Sequence, residues 1–147
     1  MKDFCVLGSG IAGSTIARLL SKNYSVEIFD KAKGVGGRTS NKRFKSKMSF
    51  DHGAQYLSAN SNNFKKFLEE LKDKNILKKW PGNHLDLTMK KKGSSFRYIG
   101  KKGNNVICKY LLNGLKVNLN TQIISIEYKK KNWEIKSSTG KILNYKN

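Results

Sequence analysis

The sequence predicts an α/β protein that begins with a βαβ unit and ends with a β-meander. A short apolar run at residues 3–7 leads into glycines and then into apolar residues at helical spacing. A second short strand follows at residues 26–30, and a connection of this kind makes its two strands parallel. The last third of the chain carries short β-branched and aromatic runs separated by turns. We therefore expect a parallel sheet first and an antiparallel meander at the end.

Length and composition exclude several classes of protein. The 147 residues are 37% hydrophobic and 10% aromatic, which excludes a disordered basic tail. No apolar run approaches the ~20 residues of a membrane span, and no secretory signal precedes the first strand. Cys5 and Cys108 lack the spacing of metal ligands or of a redox pair, and no metal site is expected. We interpret both cysteines as small, buried apolar side chains. Unpaired cysteines are typical of proteins in a reducing compartment, so we expect a cytoplasmic protein.

The net charge of +20 has two interpretations. Arginine, which nucleic-acid readers use for two-point contacts, accounts for only four of the 30 basic residues. The lysines fall in small scattered groups, which favours a generally basic surface over a dedicated nucleic-acid site. A basic nucleic-acid-binding module or a nonfunctional fragment is kept as the alternative from another functional class.

The first candidate site is the glycine pattern Gly8-x-Gly10-x-x-Gly13, which lies between the first strand and the first helix. Gly8 permits a tight turn, Gly10 lets a pyrophosphate approach the backbone, and Gly13 lets the helix pack on the strand. The helix N-terminus then offers N–H donors to phosphate. Asp30 ends the second strand about 20 residues on, where a carboxylate accepts hydrogen bonds from ribose. The unit is therefore Rossmann-like and predicted to bind a dinucleotide, a structural glycine turn being the alternative.

A second glycine cluster at residues 34–37 follows this acidic residue directly and is not required by a simple NAD site. It is followed by Arg38, whose planar guanidinium can grip a phosphate at two points. We therefore predict FAD rather than NAD as the dinucleotide. A surface loop with a chance arginine is the alternative.

The middle of the chain predicts one further helix, capped by Ser61, with apolar residues at helical spacing over residues 64–71. A shorter helix begins near Val106 and ends at Asn113-Gly114. The predicted strands beyond the βαβ unit lie at residues 76–77, 85–89, 96–99, 117–119, 123–128, 133–135 and 142–145.

These motifs, together with the segment Phe50-Asp51-His52-Gly53-Ala54-Gln55-Tyr56, resemble the renalase-like proteins of the FAD-dependent amine oxidase superfamily. The resemblance extends over essentially the whole chain, through Trp80, Arg97 and the strand before Trp133. It implies hydride transfer from a reduced small molecule, such as a dihydronicotinamide isomer, to flavin and then to molecular oxygen. An amine oxidase or a desaturase-type flavoenzyme is the alternative within the enzymes.

The resemblance also implies roles for individual residues. The pyrophosphate would be held by the first loop and helix, Asp30 and Lys31 would hold the adenosine ribose, and Ile123 would meet the adenine through its backbone. The phosphate–ribityl region would lie at the second loop, and Gln55 and Tyr56 would lie near the flavin. No catalytic residue is named, because the flavin itself performs the hydride transfer. The implied cofactor-binding residues are Gly8, Ser9, Gly10, Ile11, Ala12, Gly13, Asp30, Lys31, Gly37, Arg38, Thr39, Gln55, Tyr56 and Ile123.

The resemblance implies a larger protein of which this chain is the N-terminal part. Residues 1–56 would form the FAD-binding core and 57–100 the start of an inserted substrate domain. Residues 101–147 would form a helix, the third sheet strand and the meander of the FAD domain. The sheet would then be incomplete, leaving the first strand as a bare edge, and the fragment alone would be inactive. Lys102-Gly103-Asn104 replaces the Pro-Gly-Met of the family pattern, which puts the geometry of that loop in question.

Overall fold

The computed structural model describes residues 1–44, 48–81 and 96–147. A short 3-10 helix at Gly37–Thr39 accompanies the following elements, given in chain order. They are β1 (Phe4–Leu7), α1 (Ile11–Leu20), β2 (Val26–Phe29), β3 (Asn41–Phe44), β4 (Met48–Asp51), α2 (Asn62–Asp73), β5 (Leu77–Lys79), β6 (Tyr98–Gly100), α3 (Val106–Leu111), β7 (Lys116–Asn118), β8 (Ile123–Lys129), β9 (Asn132–Ser137) and β10 (Ile142–Tyr145).

A parallel sheet in the order β1-β2-β7 forms the centre of the N-terminal unit. All four residues of β2 are buried, since this strand has neighbours on both sides and packed layers on both faces. Val6 and Ile28 pack with Ala17 of α1 on one face of the sheet. The predicted βαβ unit is confirmed, and the strand predicted at residues 117–119 is present as β7, paired with β2.

The sequence predicts that the outer edge of β1 is unpaired, and this prediction is wrong for the first half of the strand. The Cys5 N–H donates to the Asn147 carbonyl at 3.0 Å, and the Asn147 N–H donates to the Asp3 carbonyl at 2.9 Å. Residues 145–147 thus run parallel to β1 after β10 leaves the meander. Tyr145 directs this crossing, because its ring is buried against Phe29 on the sheet. Leu7, at the far end of β1, remains 43% exposed.

The predicted meander is present as an antiparallel sheet in the order β10-β9-β8. Its inner face places Ile135 and Tyr145 on Phe29, on the opposite face of the parallel sheet from α1. The pairing of β8 with β9 shifts register between Ile123 and Ser125.

The remaining elements pack around a separate apolar cluster. The hydroxyl of Ser61 accepts from the Phe64 N–H at the start of α2, as predicted. Leu68 and Leu71 of α2 pack on Tyr98 of β6 and on α3. The hairpin of β3 and β4 was not predicted, because its strands carry mostly charged and polar residues. The strand predicted at residues 85–89 lies outside the described residues. Within the described ranges no helix is long and apolar enough to cross a membrane.

Candidate dinucleotide-binding site

The first glycine loop, residues 8–13, forms a tight turn at the carboxyl end of β1. Gly8 has φ of +98° and donates its N–H to the Phe29 carbonyl at 2.7 Å. A Cβ on Gly13 would lie 2.0 Å from the Gly8 oxygen, closer than any real contact. Both glycines are therefore required by the turn itself.

The N-terminus of α1 opens from this turn. Gly10 precedes the helix with extended backbone, no side chain caps it, and the first turn carries no acidic residue. Since the first amides of a helix have no acceptor within it, this end can donate to an anion. Ala12 is exposed here, whereas the side chain of Ile11 packs towards the α2 and α3 cluster, which leaves only its backbone for a ligand.

Asp30 lies directly after β2 and is bonded to the first loop. One carboxylate oxygen accepts from the Ser9 N–H at 2.7 Å and from the Ser9 hydroxyl. The other accepts from the Ala32 N–H at 2.8 Å. Burial by itself raises the pKa of Asp30, but these hydrogen bonds and the nearby Lys31 charge outweigh it and hold the pKa below its ordinary value. The carboxylate is thus ionised and already organises the loop, and the side chain is only partly buried.

The second glycine loop, residues 34–40, lies against the first loop. The Gly36 N–H donates to the Ser9 carbonyl at 3.0 Å, and a Cβ on Gly37 would lie 3.1 Å from the Gly10 Cα. Gly36 and Gly37 both have positive φ, of +134° and +52°. The two predicted loops therefore form one continuous glycine surface.

Arg38 and Thr39 leave this surface in opposite directions. The side chain of Arg38 is exposed. Thr39 is 5% exposed, and its hydroxyl donates to the Gly36 carbonyl at 2.8 Å. Arg38 is therefore available to a ligand, whereas the Thr39 hydroxyl holds the loop in shape.

The segment carrying Gln55 and Tyr56 is anchored to the second loop through its backbone. The Ala54 N–H donates to the Arg38 carbonyl at 2.8 Å, and Gln55 is exposed beside it. The Tyr56 ring contacts the Arg97 guanidinium, 4.4 Å from the ring centroid, and the Trp80 ring, whose centroid is 5.5 Å away.

The segment that precedes Ile123, residues 120–121, runs beside Asp30. The Thr121 N–H donates to the Asp30 carbonyl at 2.9 Å, and the Asn120 N–H donates to the Ala32 carbonyl at 3.0 Å. Ile123 itself is half-buried against the meander core at the start of β8. This places the predicted adenine contact and the predicted ribose contact at the same edge of the sheet.

His52 bonds to the second loop through the hydroxyl of Ser40. Its Nε2 lies 3.1 Å from the Ser40 hydroxyl. This contact links the segment at residues 50–56 to the second loop.

Sequence reasoning missed the buried amide of Asn104, which holds the site's outer loops together. Asn104 is fully buried and donates from Nδ2 to the Ala54 carbonyl at 2.7 Å. Its Oδ1 accepts from the Gly100 N–H, and its N–H donates to Asp51. The residue that departs from the family pattern is therefore a polar clamp for the segment at residues 51–54.

Sequence reasoning also missed the buried carboxylate of Glu27 on β2. It is 6% exposed and accepts from Lys116 at 2.6 Å, from Tyr145 at 2.8 Å and from Asn118. Burial raises the pKa of Glu27, but these bonds outweigh it and lower the pKa below its ordinary value. Burial, with the Glu27 charge, raises the pKa of Cys5 to about 12, so that thiol is not a nucleophile at neutral pH.

The fold and the glycine surface define the class of this protein, a mixed α/β protein with a Rossmann-like unit. In agreement, residues 6–71 match the family described as NAD(P)-binding Rossmann-like domain.

Two solved structures share the fold of the whole chain. The Diels-Alderase PyrE3 of pyrroindomycin biosynthesis matches with a TM-score of 0.61 and 14% identity, over 96% of this chain and 30% of that protein. The tetracycline destructase Tet(51) matches with a TM-score of 0.63 and 16% identity, over 99% of this chain and 37% of that protein. The chain thus spans about a third of each, and at these identities the likeness is one of fold.

Proposed function

We propose that this chain is the FAD-binding part of a FAD-dependent oxidoreductase. The observation that carries the proposal is the docking of the second glycine loop on the first, with Arg38 exposed beside them. A simple NAD site needs only the first loop. The second loop lets a ligand approach its backbone closely, and the Arg38 guanidinium is exposed beside it. Together they can contact a further part of a dinucleotide that is longer than NAD.

The residues present fit FAD. At the contact of Gly10 with Gly37 neither residue has a Cβ, so a pyrophosphate can approach both backbones and the N-terminus of α1. Asp30 is ionised and half-exposed where the ribose would lie. When bound, FAD accepts a hydride from a reduced substrate and passes electrons to molecular oxygen. In this proposal Arg38 neutralises phosphate charge, Ser9 orients Asp30, and Gln55 and Tyr56 border the flavin.

The finer proposal is a renalase-like enzyme acting on a dihydronicotinamide isomer, and it rests on the resemblance of residues 50–56. An amine oxidase or desaturase-type enzyme is the competing proposal. In either case residues 57–100 begin the substrate domain, and turnover requires the larger protein. A cytoplasmic location is proposed because both cysteines are unpaired. Turnover of dihydronicotinamide isomers against amines by the larger protein separates the two proposals.

The cofactor is tested by titrating the purified chain with FAD and with NAD and measuring flavin fluorescence and calorimetric heat. We expect FAD to bind and Arg38→Ala to weaken it by roughly 1.5–3 kcal/mol, the scale of a charged hydrogen bond. Lys65→Ala, which removes one exposed cation from α2, is the matched control and should leave FAD affinity unchanged. Tight NAD binding without flavin retention, or equal FAD affinity in the Arg38 variant, contradicts the assignment. Duplex DNA binding that falls steeply with salt, with no response to FAD, supports the nucleic-acid alternative.

A further inference from the structure

A second cleft lies on the side of the second glycine loop that faces α3. It encloses about 740 Å³, and its walls come from the loop after β2, from the β3–β4 hairpin and from α3 with the turn before it. Among the described residues that line it, four are basic and none is acidic. The basic residues are Lys33, Arg43, Lys102 and Lys109.

These four cations carry uncompensated charge. All four side chains are exposed, and none of them forms an ion pair within the described residues. Elsewhere on this basic chain, Lys72, Lys74 and Lys129 each lie within 4 Å of a carboxylate. Like charges that converge on a concave wall add their potentials, which attracts a ligand with more than one negative charge. Arg43 adds a planar fork suited to phosphate.

Asn105 supplies an independent sign of a ligand at the same cleft. It lines the cleft, is only 8% exposed, and its Oδ1 has no hydrogen-bond partner among the described residues. Its Nδ2 donates to the Val35 carbonyl at 3.4 Å. A Cβ added to Gly36 would lie 2.9 Å from the Cβ of Asn105, so Asn105 is packed tightly against the loop. A buried acceptor without a donor is unfavourable, and a ligand hydroxyl would satisfy it after a small rotation of the amide.

We propose that this cleft, which adjoins the dinucleotide surface along the second glycine loop, binds a phosphorylated, hydroxyl-bearing small molecule. The phosphate would lie among the four cations and a hydroxyl would donate to Asn105. The volume of about 740 Å³ accommodates a molecule of sugar-phosphate size. The proposal does not depend on FAD, because Asp30 and Arg38 do not line this cleft.

The test is calorimetric titration of the full chain with ribose 5-phosphate, compared with inorganic phosphate, with and without saturating FAD. The cleft variant is Lys102→Gln with Lys109→Gln, and the control is Lys65→Gln with Lys66→Gln, which removes the same charge from α2. We expect the cleft variant to bind ribose 5-phosphate at least tenfold more weakly and the control to stay within twofold. Asn105→Ala should bring the affinity for ribose 5-phosphate down to that for inorganic phosphate.

Three results overturn the proposal. Equal losses in the two lysine variants would mean that the ligand responds only to the overall charge. Loss of binding on addition of FAD would assign the cleft to the dinucleotide site. No saturable binding of ribose 5-phosphate by a folded chain would mean that the cleft is not a site. Because both lysine pairs are exposed, circular dichroism should show folded protein for each variant.

Discussion

The two glycine loops touch each other but are held by different forces. The first loop is fixed to the parallel sheet by the backbone, through the bond from Gly8 to Phe29 and the approach of Gly13 to the Gly8 oxygen. Among the described residues, the second loop makes no backbone hydrogen bond to the parallel sheet. It is held by the first loop, by the buried hydroxyl of Thr39 and by the packing of Asn105 against Gly36.

Because of this difference, the two glycine loops are not equally strong evidence for dinucleotide binding. The turn from β1 into α1 requires glycine at positions 8 and 13 whether or not a ligand binds. The fold does not explain Arg38, whose side chain is exposed at the junction of the two loops. The second loop is therefore the stronger argument for a dinucleotide, although the first carries the better-known pattern.

The largest effect expected from this comparison is that of Gly13→Ala. A methyl group there would lie 2.0 Å from the Gly8 oxygen, so the helix must move away from the strand. We expect a loss of about 3 kcal/mol in the free energy of unfolding, as for an overpacked core. Chemical denaturation monitored by circular dichroism measures it.

Gly34→Ala is the matched control for this substitution. It adds the same methyl group in the second loop, where nothing lies within 4 Å, and its φ is not in the left-handed region. We expect a change within about 0.5 kcal/mol. Equal stability of the two variants would show that the first loop can relax, contrary to its backbone anchoring.

How much of the two loops can be predicted from the sequence depends on whether a contact is local or joins residues that are distant in sequence. Spacing alone located Gly8, Gly13 and Asp30, because a turn from strand to helix imposes fixed backbone demands at fixed positions. The role of Asp30 as a clamp on Ser9 was not foreseen, since it depends on how two loops meet. Asn104 and Glu27 were missed for the same reason, because their partners lie on elements distant in sequence. The covering of β1 by residues 145–147 also depends on tertiary packing, through Tyr145.

The next largest effect is that of Asp30→Ala, which removes the polar contact between β2 and the first loop. The substitution leaves the Ser9 N–H, the Ser9 hydroxyl and the Ala32 N–H without their acceptor. We expect a loss of about 2 kcal/mol in stability, the scale of orphaned donors. The sequence alone predicts a smaller loss of FAD affinity than for Arg38→Ala, whereas the structure predicts a loss at least as large, because the loop itself loosens.

Asp30→Asn separates the two contributions. It keeps a carbonyl acceptor for Ser9 but removes the charge, so it should recover part of the lost stability. If Asp30→Ala lowers FAD affinity while stability is unchanged, the carboxylate binds ribose without organising the loop.

A smaller effect is expected for Gly37→Ala in the second loop. Its φ of +52° lies in the left-handed region, and the new methyl would lie 3.1 Å from the Gly10 Cα. The contact is tight rather than impossible, and no backbone hydrogen bond among the described residues ties the second loop to the parallel sheet. We expect a loss of about 1–2 kcal/mol in stability, mostly from the backbone conformation. A loss as large as that of Gly13→Ala would mean that both loops are equally rigid.

The smallest expected effect is the pH dependence that the Asp30 charge gives to the first loop. Its pKa is lowered in the folded state, so the ionised form stabilises the fold at neutral pH. That contribution is lost as the pH falls from the unfolded pKa, near 3.8, through the lower folded pKa. Because the carboxylate is half-exposed, we expect less than about 1 kcal/mol. Chemical denaturation of the wild type and of Asp30→Asn should show a stability gap at pH 7 that narrows below about pH 4. A gap that stays constant down to pH 2 would show that Asp30 holds Ser9 as a neutral acceptor, and that the first loop depends on geometry alone.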